Sequence, residues 1–240
     1  MNAAPPLGSR VLAEGIGAAM LVAAVIGSGI AAQELSPGDV GLQLLENSTA
    51  TALALVALIF TFGSVSGAHF NPAVTLAERA RGNIDTSSAG AYVTAQVVGG
   101  CLGAVVANLM FELPAIEWSG TERATAAHAL AEVVATFGLL TVIFGVVHSG
   151  RDAAVPVVVA GYIGAAYWFT SSTSFANPAV TVARMLSDTF AGIAPASVPL
   201  FVAAQLVGAV AAVGVAQILF PATDPSLEEA LDARSRIPQP

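Results

Sequence analysis

Apolar residues occur in long blocks along this chain, and the few charged residues fall between them. Between Glu14 and Glu34 lie 19 residues without a charge, and between Asp85 and Glu112 lie 26. From Ala124 to Gly150 only Glu132 interrupts an apolar run. Each block predicts one membrane-crossing helix, which takes ~20 residues. Two further blocks, Glu46 to Glu78 and Asp152 to Arg184, enclose 31 residues each. That is too long for one span and too short for two, so each predicts a span followed by a half-segment. The final apolar run, Ser197 to Leu219, predicts the last span. The reading is an all-α membrane protein with six transmembrane helices and two re-entrant half-helices. It forms one domain over residues 1–240, with repeat 1 at about 11–111, repeat 2 at about 124–220 and a tail at 221–240.

The repeat is visible in the residues themselves. Asn71-Pro72-Ala73-Val74-Thr75 recurs as Asn177-Pro178-Ala179-Val180-Thr181, 106 positions on. Ala13-Glu14 matches Ala131-Glu132, 118 positions on, and Gln96 in span 3 matches Gln205 in span 6 at an offset of 109. Only loop lengths differ. Three spans per repeat is an odd number, so the second copy enters from the opposite side and the repeats are inverted.

Composition agrees with the pattern. Hydrophobic residues are 55% of the chain and charged residues 10%, with a mean hydropathy of +0.77, against roughly 25% charged in soluble domains. The net charge of −8 argues against nucleic-acid binding. One cysteine, Cys101, excludes an intrachain disulfide and reads as a small core residue. All eight basic residues are Arg. With the N-terminus inside, Arg10, Arg79, Arg81, Arg151, Arg234 and Arg236 fall on the inner side, and only Arg123 and Arg184 on the outer. That asymmetry predicts an inner (plasma) membrane protein with both termini cytoplasmic.

The two Asn-Pro-Ala copies are odd inside apolar segments. Pro suits the first position of a helix, where its missing N–H would be unpaired anyway, and Asn is a good N-cap. Helices over Pro72 to about Arg81 and Pro178 to about Ser187 would each be ~15 Å long, half of a ~30 Å hydrocarbon core. Entering from opposite faces, they would meet N-terminus to N-terminus. The loops feeding them are Gly67-Ala68-His69-Phe70 and, in the second copy, a stretch that includes Thr173, Phe175 and Ala176. Irregular backbone is tolerated there only if it lines a water-filled path or is buried in protein. Each helix N-terminus carries about +0.5 of a charge, so the meeting point should repel cations, while Asn71 and Asn177 donate hydrogen bonds to a neutral solute.

Ser66-Gly67-Ala68-His69-Phe70-Asn71-Pro72-Ala73-Val74-Thr75 resembles the first signature of the aquaporin/aquaglyceroporin (major intrinsic protein) family. The paired copy, spacing and span count resemble that family over about residues 11 to 220. The resemblance implies the aquaporin fold, passive conduction, a lipid bilayer and small neutral solutes as partners, and a homotetramer with one pore per subunit. The residues themselves offer no nucleophile–base pair and no metal-ligand cluster that can be placed in one pocket, so no enzyme activity, no cofactor and no metal is expected.

The chain departs from the family where Val180 stands in place of an Arg that ordinarily lines the outer constriction. Counting from the two Asn-Pro-Ala copies without gaps, the other constriction positions are Thr51, Ala165 and Ser174. That set predicts a wide, uncharged constriction. Arg184, four residues beyond Val180, either solvates the end of its half-helix or places a positive charge in the outer vestibule. With Val180 and the run Tyr167 to Thr181, the chain resembles a bacterial branch associated with arsenic-resistance operons. This implies conduction of arsenite, organic arsenicals and glycerol-like polyols. The alternatives are a water pore or a general pore for ammonia, urea or peroxide.

Glu14 and Glu132 are equivalent intramembrane carboxylates. They read as loop supports that accept backbone N–H groups, against the alternative of proton carriers in a secondary transporter. His69 reads as a loop buttress, since His128 and His148 lie on other segments. Gly99, Gly100, Gly103 and Gly208 read as close helix-packing positions.

Overall fold

The computed structural model describes residues 5–221. The acidic tail, with Arg234 and Arg236, lies outside the described residues. Eight α-helices follow in order: α1 Leu7–Leu35, α2 Val40–Ser66, α3 Pro72–Ala80, α4 Thr86–Met110, α5 Ala126–His148, α6 Val155–Phe169, α7 Pro178–Arg184 and α8 Val198–Leu219. Six of them, all but α3 and α7, are long and apolar enough to cross a membrane.

The helix starts follow local chemistry. The side chains of Asp39, Asp85 and Thr125 accept the backbone N–H of Leu42, Ser88 and His128, capping α2, α4 and α5. Gly67 ends α2 at φ +88°, a left-handed turn that swings the chain into the first feeding loop. Charge does not mark where α1 begins. The helix starts at Leu7 and carries Glu14 fully buried within it. A buried carboxylate at that depth is tolerable only with hydrogen-bond partners, and these come from the loop.

In each repeat the first and third spans pack backbone to backbone. A Cβ on Gly99 or Gly103 of α4 would overlap the carbonyl of Gly15 or Ala19 on α1. In the second half, a Cβ on Gly208 of α8 would overlap the carbonyl of Val133, the residue equivalent to Gly15. In a bilayer, where apolar surfaces gain little by leaving lipid, close approach of this kind supplies the packing. The halves join where α2 meets α6 and where α3 and α7 enter the bundle.

The second half-helix is shorter than predicted. It stops at Arg184 rather than near Ser187 and has 7 residues against 9 in α3. The carbonyls that would continue it are taken from outside. Met185 O accepts Ser119 N–H at 3.0 Å, and Leu186 O accepts Glu117 N–H at 3.1 Å. Asn108 Nδ2 also donates to Leu186 O at 3.0 Å.

Candidate functional site

The two half-helices meet through their asparagines. Asn71 Oδ1 accepts Ala73 N–H at 2.8 Å, and its Nδ2 donates to Ala176 O at 2.7 Å. Asn177 Oδ1 accepts Ala179 and Val180 N–H, and its Nδ2 donates to Phe70 O at 2.8 Å. Each asparagine therefore caps its own helix and holds the opposite loop. An amide NH₂ has two hydrogens, so one on each remains for a solute.

The loops are held from behind by the two glutamates. Glu14 accepts Ser66 Oγ–H, His69 N–H, Phe70 N–H and Gln96 Nε2–H. Glu132 accepts Phe175 N–H, Ala176 N–H and Gln205 Nε2–H. Gln96 and Gln205 also donate to Thr75 and Thr181 on the half-helices. Phe70 (φ +48°) and Ala176 (φ +47°) sit in the left-handed region. Such residues persist only where the surroundings over-determine them. Here each has its N–H fixed by a glutamate and its carbonyl fixed by the opposite asparagine.

One cavity of about 750 Å³ runs past both asparagines. Its wall is built from helix faces at four-residue spacing. Leu21 and Val25 come from α1, and the equivalent Leu139 and Ile143 from α5. Thr51, Leu55, Ile59 and Gly63 come from α2, and Val155, Val159, Ile163 and Tyr167 from α6. Gly67, Ala68, His69, Phe70, Phe175 and Ala176 line it from the loops. Glu78, Arg81, His148 and Asp152 lie toward one end and Arg184 toward the other. The His69 ring packs edge-on against Tyr92, and its Nδ1 lies 3.0 Å from Thr75 Oγ1, so it braces the loop from the side.

Thr51, Ser174 and Val180 all line the cavity, but Ala165 does not. Ala165 is exposed on the outer face of α6. Counting back from Asn177 to α6 crosses the irregular loop 170–176, which does not carry the helical phase, so the count does not fix which face of α6 meets the cavity. Ile163 and Tyr167 face the cavity instead, and Tyr167 Oη lies 3.1 Å from Thr51 Oγ1. Thr173, in the same loop, is half-buried and outside the lining.

This end of the cavity is also neither uncharged nor free of bulk. Arg184 is 2% exposed, so it does not solvate the helix end. It lies one turn, ~6 Å, beyond Val180 on the same face of α7. Its Nε donates to Ala191 O, and its guanidinium carbon lies 3.4 Å from the centroid of the Phe175 ring. Tyr167 and the burial of Arg184 were missed by position counting. Tyr167 meets Thr51 across 116 residues, whereas Arg184 is covered by Phe175 and Ala191 from the loops on either side of α7. Nearby, Arg123 of the loop before α5 donates to Gly192 O at 2.9 Å. Burial pulls the Arg123 guanidinium below its usual range, with Glu132 opposing the shift.

Six membrane-crossing helices in an inverted repeat, with two half-helices meeting on one elongated cavity, define a pore-forming membrane protein. The model of the major intrinsic protein family matches residues 4–175. The chain is 46% identical over 220 residues to "Aquaglyceroporin AqpS" of Rhizobium meliloti (strain 1021), covering 92% of this chain and 94% of that protein. It is 34% identical over 178 residues to "Probable aquaporin AqpM" of Archaeoglobus fulgidus, covering 68% and 71% of the two chains. The fold matches the X-ray structure of the aquaglyceroporin from Plasmodium falciparum with a TM-score of 0.70 at 21% identity, over 93% of this chain and all of that one. The chain belongs to the major intrinsic protein family. It is a multi-pass membrane protein and a passive small-solute channel, not an enzyme.

Proposed function

We propose that this channel conducts small neutral solutes larger than water, namely glycerol-like polyols and arsenous acid with its organic derivatives. The observation that carries the reading is the lining of the cavity around Val180, where Tyr167 is the bulky neighbour of Thr51. Thr51, Ser174 and Val180 are small, and the fixed cation stands one turn further out, at Arg184. Arsenous acid is neutral at pH 7 and presents three hydroxyls, much like glycerol. The free amide hydrogens of Asn71 and Asn177 suit such solutes midway, and the facing N-termini of α3 and α7 disfavour cations. A relative named as an aquaglyceroporin supports the polyol class.

The alternative is a pore for water, ammonia, urea or peroxide. A secondary transporter is disfavoured because, among the described residues, the carboxylates that line the cavity are Glu78 and Asp152, both toward one end. The asymmetry of Arg positions supports cytoplasmic termini in the plasma membrane, with the Arg184 end outside. The family supports a homotetramer of whole single-domain chains. Proteoliposomes test the substrate class. Glycerol and arsenous acid should enter much faster than into protein-free vesicles. Water flux without either solute flux would overturn the reading.

A further inference from the structure

An arginine at a helix C-terminus ordinarily reaches water. Arg184 does not. It is 98% buried (2% exposed), lies flat on Phe175 and gives Nε to Ala191 O. Its two Nη groups make no hydrogen bond to the described residues, although the residue lines the cavity. Glu132, the acid behind Phe175, does not pair with it. The Glu132 oxygens accept Phe175 N–H, Ala176 N–H and Gln205 Nε2–H instead. A second guanidinium, Arg123, lies 5.3 Å from the same Phe175 centroid. Ser174 lines the same cavity, is 3% exposed, and its Oγ has no hydrogen-bond partner. Among the described residues, the first repeat offers no such arrangement. Its equivalent of Arg184 is Glu78, which accepts Asn83 Nδ2–H.

A buried cation without a counter-ion is unfavourable, and so is a buried hydroxyl without a partner. Both are relieved by one kind of ligand. We propose that this end of the pore is a binding site for a small oxyanion of the phosphate, arsenate or sulfate class, and that its occupancy blocks solute passage. The Arg184 Nη groups present the fork that matches two oxygens of such an anion. Ser174 Oγ–H donates to a third, and Arg123 adds attraction from behind Phe175. The binding stands on its own, whereas the block rests on the reading of this cavity as the solute path.

The test measures glycerol entry into proteoliposomes in rising inorganic phosphate at constant ionic strength and osmolarity. Phosphate binding to the detergent-solubilised protein is measured by calorimetry alongside. Wild-type flux should fall saturably, and Ser174→Ala should raise the half-blocking concentration about tenfold. Arg184→Leu should abolish block and binding. Arg184→Lys, which keeps the charge without the fork, should weaken both should the leucine variant not fold. A wild type that conducts but neither binds phosphate nor slows in it overturns this inference. So do variants that block like wild type. A wild type that binds phosphate without conducting glycerol leaves the site standing and overturns the solute reading.

Discussion

The Glu132→Gln variant keeps the side chain's size and turns one acceptor oxygen into an NH₂ donor. Glu132 Oε1 accepts Phe175 N–H at 2.9 Å, while Oε2 accepts Ala176 N–H at 2.8 Å and Gln205 Nε2–H at 2.6 Å. A glutamine oriented to keep the Phe175 bond leaves two buried donors facing a donor. Oriented the other way it leaves one. Each orphaned buried donor costs ~1–3 kcal/mol, so the variant should lose about 1–6 kcal/mol. The loss falls on a loop where Ala176 holds φ +47° only because its N–H and C=O are both fixed. Thermal unfolding in detergent should therefore occur at lower temperature. The Phe175 and Ala176 amides should exchange faster with solvent, and solute flux should fall. A variant as stable as wild type, with unchanged exchange at those amides, would refute the loop-support argument. If its flux also lost a dependence on proton gradient, Glu132 would be a proton carrier.

Four further outcomes are expected. Val180→Arg puts a second guanidinium one turn inward of Arg184, so the ratio of glycerol to water permeability should drop, about tenfold or more. An unchanged ratio would remove Val180 from the constriction. Ala165→Leu should leave flux within about twofold of wild type, because the side chain faces away from the cavity. Tyr167→Ala should speed larger polyols. Gly99→Leu should abolish folded protein on size-exclusion chromatography, since even a Cβ at that position overlaps the Gly15 carbonyl.

The spans and the half-helices are legible in the sequence because a bilayer excludes charge, so charged residues report the loops. Glu14 and Glu132, and Gln96 and Gln205, are legible as repeat equivalents at offsets of 118 and 109, but the pairing of each glutamate with its glutamine is seen only in the fold. The start of α1 is not legible. Glu14 is satisfied by partners 52 or more residues away, so its charge does not mark a boundary. Ala165 is misplaced because the count from Asn177 to α6 crosses the irregular loop 170–176, whose path does not carry the helical phase. The end of α7 and the burial of Arg184 depend on Ser119, Glu117, Phe175 and Ala191. Those residues reach the half-helix only through the tertiary fold, and no local pattern announces them.

The central claim is passive passage of neutral solute through a pore that rejects protons. It is tested most directly by glycerol and arsenous acid uptake into proteoliposomes, with an internal pH dye and with proton gradients of either sign. The account predicts uptake that follows the solute gradient alone, equal at all imposed pH differences, with no solute-driven change in internal pH. Uptake that requires a pH gradient, or that carries protons with it, would contradict it.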